Sequence, residues 1–98
     1  MLRIVTVCGC GQGSSLILRM YTDDVVKEMG IDASIENMEV TSGKGARCDL
    51  VLAQTALVPM VEGQNHETRA ISSIIDKKLI RKVLADYCDE HDIVYKKE

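Results

Sequence analysis

The stretch from Ile4 to Leu18, Ile-Val-Thr-Val-Cys-Gly-Cys-Gly-Gln-Gly-Ser-Ser-Leu-Ile-Leu, restricts the folds open to this chain more than any other. An apolar β-branched run ends at Cys8, glycines stand at 9, 11 and 13, and Ser14 and Ser15 open an amphipathic pattern. Read physically, this is a buried strand, a tight loop and a helix start, with a thiol at the carboxyl end of the strand. Glycines remove the Cβ atoms that keep main-chain N–H groups away from a bound group. A helix N-terminus adds unpaired donors and a partial positive charge, so the concavity favours an anion such as phosphate. Cys8 is then a nucleophile beside an anion cradle.

The remaining elements follow in order. Leu2 to Val7 reads as a central strand covered on both faces. A helix is expected from Ser15 to Met29, with Ser14 as N-cap and Gly30 as the left-handed C-terminal residue. At about 100° per residue, Leu18, Tyr21, Thr22, Val25, Val26 and Met29 share its apolar face. Leu16 and Met20 fall on the charged side with Asp23, Asp24 and Lys27, either tucked under a neighbouring loop or forming an apolar rim for a partner protein.

Ala33 to Val40 reads as an edge strand, and Thr41 to Arg47, with Gly43 and Gly45, as a turn or short helical piece. Asp49 to Ala53 is a second buried strand, with Gln54 and Thr55 at its carboxyl end and a helical turn or two from Ala56 to Val61. Glu62 to Glu67 is loop-like, and Thr68 to Ile74 reads as a fourth strand. Asp76 caps a last helix to about His91, burying Leu79, Ile80, Val83, Leu84, Tyr87 and Cys88; the tail from Lys96 is expected to fray. Strands alternating with helices imply an α/β fold with a small, mostly parallel sheet and helices on both faces. Sites in such sheets lie beyond the strands' carboxyl ends, where Cys8 and Gln54 both fall.

Ninety-eight residues suit a single domain, 1–98. Twelve basic and fifteen acidic residues, well mixed, give a net charge of −3, which argues against a nucleic-acid binder. No stretch is long and apolar enough to span a membrane, and the start lacks the pattern of a secretion signal. Cys8, Cys10, Cys48 and Cys88 are irregularly spaced and read as reduced thiols of a cytoplasmic protein. No second Cys or His pair has metal-ligand spacing, so no metal and no cofactor are expected, and His66 and His91 read as solvated surface residues. A Cys8–Cys10 redox pair could close only a strained small ring.

Better-known glycine loops do not fit. A nucleoside-triphosphate loop needs Lys before its hydroxyl residue, but Ser14 follows Gly13 directly. A dinucleotide fingerprint wants glycine at position 14, and the chain is too short for six strands, although Glu36 could mimic the ribose-binding acid. A low-molecular-weight phosphatase loop has Cys, five residues, then Arg; from Cys8 the sixth residue is Ser14. Without that Arg there is no bidentate clamp on the transition state, which weakens hydrolysis more than phosphate binding. A loop that holds phosphocysteine without hydrolysing it suits a carrier.

Cys8-Gly9-Cys10-Gly11-Gln12-Gly13-Ser14-Ser15 resembles the phosphocysteine loop of bacterial phosphotransferase-system (PTS) enzyme IIB components. The likeness is greatest to the ascorbate type, with its Cys-Gly-x-Gly-Gln-Gly-Ser-Ser loop; galactitol-type relatives keep only the opening. Cys10 stands at a variable position of that loop, and Thr41 to Arg47 is more glycine-rich than a good crossover helix. The resemblance implies a three-layer α-β-α sandwich around a four-stranded parallel sheet of order 2-1-3-4, with a phosphatase-like loop after strand 1. It also implies that Cys8 accepts phosphate from a histidine of a IIA partner, cradled by Gly9 through Ser15. The phosphate then passes to a sugar, ascorbate or a related substrate, in the membrane-embedded IIC permease. Leu16, Met20, Gln54 and Thr55 are candidates for the rim that meets those partners. A small cysteine-dependent phosphatase or arsenate-reductase relative, and a non-catalytic anion-binding module, are the alternatives.

Overall fold

The computed structural model describes residues 2–7, 12–63, 65–73 and 75–95, and the side chains of residues 12–16 also fall outside its description. Four strands form one parallel sheet: β1 (Leu2–Val7), β2 (Ala33–Met38), β3 (Leu50–Gln54) and β4 (Glu67–Ile71). Their order is β2-β1-β3-β4, as the family resemblance implies. The helices are α1 (Gln12–Met29), α2 (Val40–Lys44), α3 (Val58–Val61), entered through a 3₁₀ turn at Thr55–Leu57, and α4 (Lys77–Glu90).

The chain steps from β1 outward to β2, then crosses back over β1 to β3. Parallel crossovers keep one hand, so reversing direction moves the connecting helix to the opposite face. Side-chain alternation along β1 fits this. Ile4 packs with Leu18, Val25 and Met29 of α1 and Ile80 and Leu84 of α4, whereas Val5 and Val7 pack with Ala46, beyond α2, and Val61 of α3. From Ile4 to Val7 every residue of β1 is buried, as a strand covered on both faces requires.

Local signals explain where the long helices stop and start. Gly30 has φ 70°, and the N–H groups of Gly30 and Ile31 donate to the carbonyls of Lys27 (3.2 Å) and Val26 (2.9 Å). Those two bonds close α1 with a Schellman turn, which needs a left-handed residue at that point. The Asp76 carboxylate accepts from the N–H groups of Lys78 and Leu79 at 3.0 and 3.2 Å, capping α4.

Several boundaries differ from those read in sequence. α1 begins at Gln12, not Ser15, so Ser14 lies inside the first turn and is not the N-cap. β2 stops at Met38 because Glu39 and Val40 already turn into α2, a short helix despite Gly43 and Gly45. β4 runs Glu67–Ile71, so its carboxyl end comes earlier than the expected Ile74, which lies outside the described residues with the tail from Lys96.

His66 is also not the solvated residue expected. It is half-buried, with Nδ1 2.8 Å from the carbonyl oxygen of Ala46 and Nε2 2.7 Å from that of Val61. A carbonyl oxygen only accepts, so a neutral ring supplies one of these two hydrogens and the imidazolium both. Either way the ring bridges the segment after α2 to the end of α3. Periodicity could not reveal this, because both partners are main-chain atoms, one five residues away at Val61 and the other twenty away at Ala46.

Candidate functional site

The carboxyl ends of the strands stand side by side. Val7, last in β1, pairs in register with Met38 of β2 and Ala53 of β3, and Gln54 extends β3 one residue further, opposite Ile71 of β4. The chain leaves β1 toward β2 on one side and reaches β3 on the other, so the topological switch lies between β1 and β3. Crevices at such points are where open α/β sheets hold ligands.

Four residues separate Val7 from the start of α1 at Gln12. They are Cys8, Gly9, Cys10 and Gly11, and they lie outside the described residues. Gln12, Gly13, Ser14 and Ser15 form the first turn of α1, and Leu16 follows; of their side chains nothing is described. The first turn of an α-helix leaves main-chain N–H groups without helical partners, so the donors nearest the loop belong to Gln12, Gly13 and Ser14. The earlier start brings the positive end of α1 closer to β1 than the sequence suggested.

The rim residues divide. Gln54 is half-buried at the end of β3, and Thr55 is exposed where the 3₁₀ turn begins. Met20 is 59% exposed, but it lies eight residues beyond Gln12, roughly 12 Å along the helix at the standard rise. Ile17, 38% exposed and one turn nearer the start of α1, is an exposed apolar residue that the sequence reading missed. Its position three residues before Met20, on the same side of the helix, was the available signal.

The remaining cysteines lie away from this end. Cys48 precedes β3, at the sheet's amino end, and its thiol donates to the Leu50 carbonyl at 3.5 Å. Cys88 is buried in α4 beside Tyr87, whose hydroxyl donates to the Asp49 carbonyl at 3.4 Å and so marks the same end. Burial pushes both thiols up from the ordinary cysteine range, with Asp49 and Asp89 respectively adding to it. Neither is a reactive thiolate. Among the described residues no cluster of three His, Cys, Asp or Glu side chains could hold a metal, and no helix is long and apolar enough to cross a membrane. An open groove lined by Leu2, Asp32, Asp49, Tyr87 and His91 lies at the amino ends of the strands, opposite the switch point.

A parallel, doubly wound sheet whose first strand and first helix are separated by four residues, Cys8 to Gly11, defines an α/β protein. Sequence comparison makes the class specific. The family model "PTS system, Lactose/Cellobiose specific IIB subunit" matches residues 3–86, and the chain belongs to that family. Among curated relatives, an ascorbate-specific PTS system EIIB component of Shigella sonnei (strain Ss046) is 38% identical over 55 residues, which is 54% of this chain and 54% of that protein. Components of the same name from Escherichia coli O157:H7 and Salmonella paratyphi A (strain ATCC 9150 / SARB42) are each 36% identical over 55 residues. The aligned stretch spans about half the length of these relatives, 54% in each case.

Proposed function

We propose that residues 1–98 act as a single cytoplasmic IIB domain and phosphocarrier. Cys8 takes a phosphoryl group from a phosphohistidine of a IIA protein and passes it to a sugar held by a IIC permease. The observation that carries this reading is the family match over residues 3–86, which includes the whole stretch from Ile4 to Leu18. The flanking geometry supports it: β1 ends at Val7 beside the switch point and α1 begins at Gln12, after four intervening residues, so Cys8 and its neighbours are bracketed by a strand's carboxyl end and a helix N-terminus.

The chemistry balances. The Cys8 thiolate attacks phosphorus in line, an S–P bond forms, the N–P bond breaks, and the departing imidazole takes up a proton. In the second step a sugar hydroxyl attacks the same phosphorus, losing its proton to solvent or a base, and the thiolate leaves. A free cysteine is only a few per cent thiolate at neutral pH, and a helix N-terminus favours the anion. Main-chain N–H groups of Gly9 through Ser15 receive the phosphoryl oxygens, with the Ser14 and Ser15 hydroxyls as further donors. With no Arg at position 14 to stabilise the attack of water, the adduct survives until an acceptor arrives. Ile17, Leu16, Gln54 and Thr55 form the rim on which IIA and IIC dock in turn, with Met20 at its outer edge. The relatives' names point to ascorbate as the transported compound.

Incubation with a phosphorylated IIA protein followed by intact mass analysis tests the reading. Cys8→Ser is expected to abolish a labile phosphoryl adduct and Cys10→Ser to keep it. The reverse pattern would move the nucleophile to Cys10, and steady turnover of an aryl phosphate would point to a phosphatase.

A further inference from the structure

Two glycines of one turn, Gly43 and Gly45, stand in opposite surroundings. A Cβ built on Gly43 would lie 2.6 Å from Cγ2 of Val7, with Cγ1 of Val61 next at 3.6 Å. A Cβ on Gly45 would meet nothing within 4 Å. Gly43 does not have the positive φ that would call for glycine; among the described glycines only Gly30 does. Alanine is the better helix former at an ordinary helical position. The feature that calls for glycine at 43 is therefore the close approach of the α2 backbone to Val7.

Val7 is the last residue of β1, fully buried and paired on both sides, to Met38 and Ala53. Its β-branched side chain has few rotamers with which to give way. A methyl group at 43 would therefore displace either α2 or the carboxyl end of β1, and Cys8 is the next residue of the chain. We propose that Gly43 is a positioning residue for Cys8: by letting α2 lie directly on Val7 it sets where β1 ends, and so where the thiol is presented. This rests on Cys8 being the phosphoryl carrier. In-line transfer is sensitive to such placement, since a displacement of about 1 Å can cost on the order of 100-fold in rate.

The test compares phosphoryl uptake from phosphorylated IIA, and the pH profile of Cys8 alkylation by iodoacetamide, in a Cys10→Ser background. Gly43→Ala is expected to slow uptake by about 10- to 100-fold and to shift the alkylation profile, while circular dichroism stays native. Gly45→Ala should match the parent in both. Adding Val7→Ala, which removes the obstructing methyls, should bring Gly43→Ala to within about threefold of Val7→Ala alone, on the additivity expected once the contact is gone. Unchanged uptake and an unchanged pH profile in Gly43→Ala would show that α2 alone gives way and would overturn the proposal, as would a loss that Val7→Ala does not relieve. If Gly43→Ala does not fold, the Val7→Ala background decides: a folded double variant with the rate and profile of Val7→Ala supports the contact, and any further loss overturns it. Failure of the parent protein to take up phosphate at Cys8 would instead refute the carrier reading, and the alkylation profile reads thiol placement without it.

Discussion

On one face of the sheet α1 and α4, 18 and 14 residues long, close over Ile4, Leu50, Leu52 and Ile71; on the other, α2 and α3 have five and four residues. Among the described residues fourteen buried side chains make up the first cluster and six the second, Val5, Val7, Ala46, Val51, Ala53 and Val61. Apolar burial stabilises in proportion to area, so the thick face carries most of that contribution. The thin face depends on particular contacts: a helix seated on Val7 through a missing side chain, and His66 bridging two carbonyls. The strand end that leads into Cys8 belongs to both, with Ile4 turned to the thick layer and Val7 to the thin one.

The sharpest way to break this contrast is a pair of core truncations. Leu84→Ala opens a cavity in the thick face at a fully buried position and should cost about 3 kcal/mol in denaturant unfolding. Val61→Ala in the thin face, equally buried, should cost less, about 2 kcal/mol. Equal losses would mean that the two layers contribute alike, and a reversed order that the thin one contributes more.

Removing the bridge comes next. His66→Ala leaves the Ala46 and Val61 carbonyls without their ring partner and should cost on the order of 2 kcal/mol. Hydrogen exchange should quicken over 40–63 while α1 and α4 keep their protection. Uniform loss of protection would show that the thin face does not open on its own. Asp76→Ala removes the α4 cap and should lower stability by about 1 kcal/mol without altering exchange in α2 or α3.

The smallest expected effect is on the acid side. Burial works against the charge of Glu67, but hydrogen bonds from His91 and Arg69 outweigh it, and Arg69 does the same for Glu90; both carboxyls sit below their ordinary range. A carboxyl lowered on folding adds stability that is complete above its unfolded pKa and is lost as pH falls through the folded one. Stability should therefore fall as pH drops below about 4.5, and Arg69→Met should flatten that limb slightly, because these groups are largely solvated. An unchanged acid limb in Arg69→Met would remove this cluster from the account.

Much of the fold can be read along the chain because its signals are local. The near-continuous apolar run of β1, Gly30 after α1 and Asp76 before α4 each depend on residues a few positions away, and the structure uses each as read. Ser14 misled because a serine before an apolar run looks like a cap, whereas the helix begins at Gln12. His66 and Gly43 were opaque because the Ala46 carbonyl and the Val7 side chain come to them from distant parts of the chain, brought there only by the sheet.

By itself the sequence determined the α/β order of elements, the end of α1, the bounds of α4 and the cysteine-glycine stretch at 8–13, since all of these follow from periodicity and from neighbours in the chain. Only the tertiary structure decided which face is thick, that Gly43 lies against Val7, that His66 joins α2's exit to α3, and that Cys48 and Cys88 fall at the far end of the sheet. Most of those relations join segments tens of positions apart, and a chain acquires them only when its strands pair.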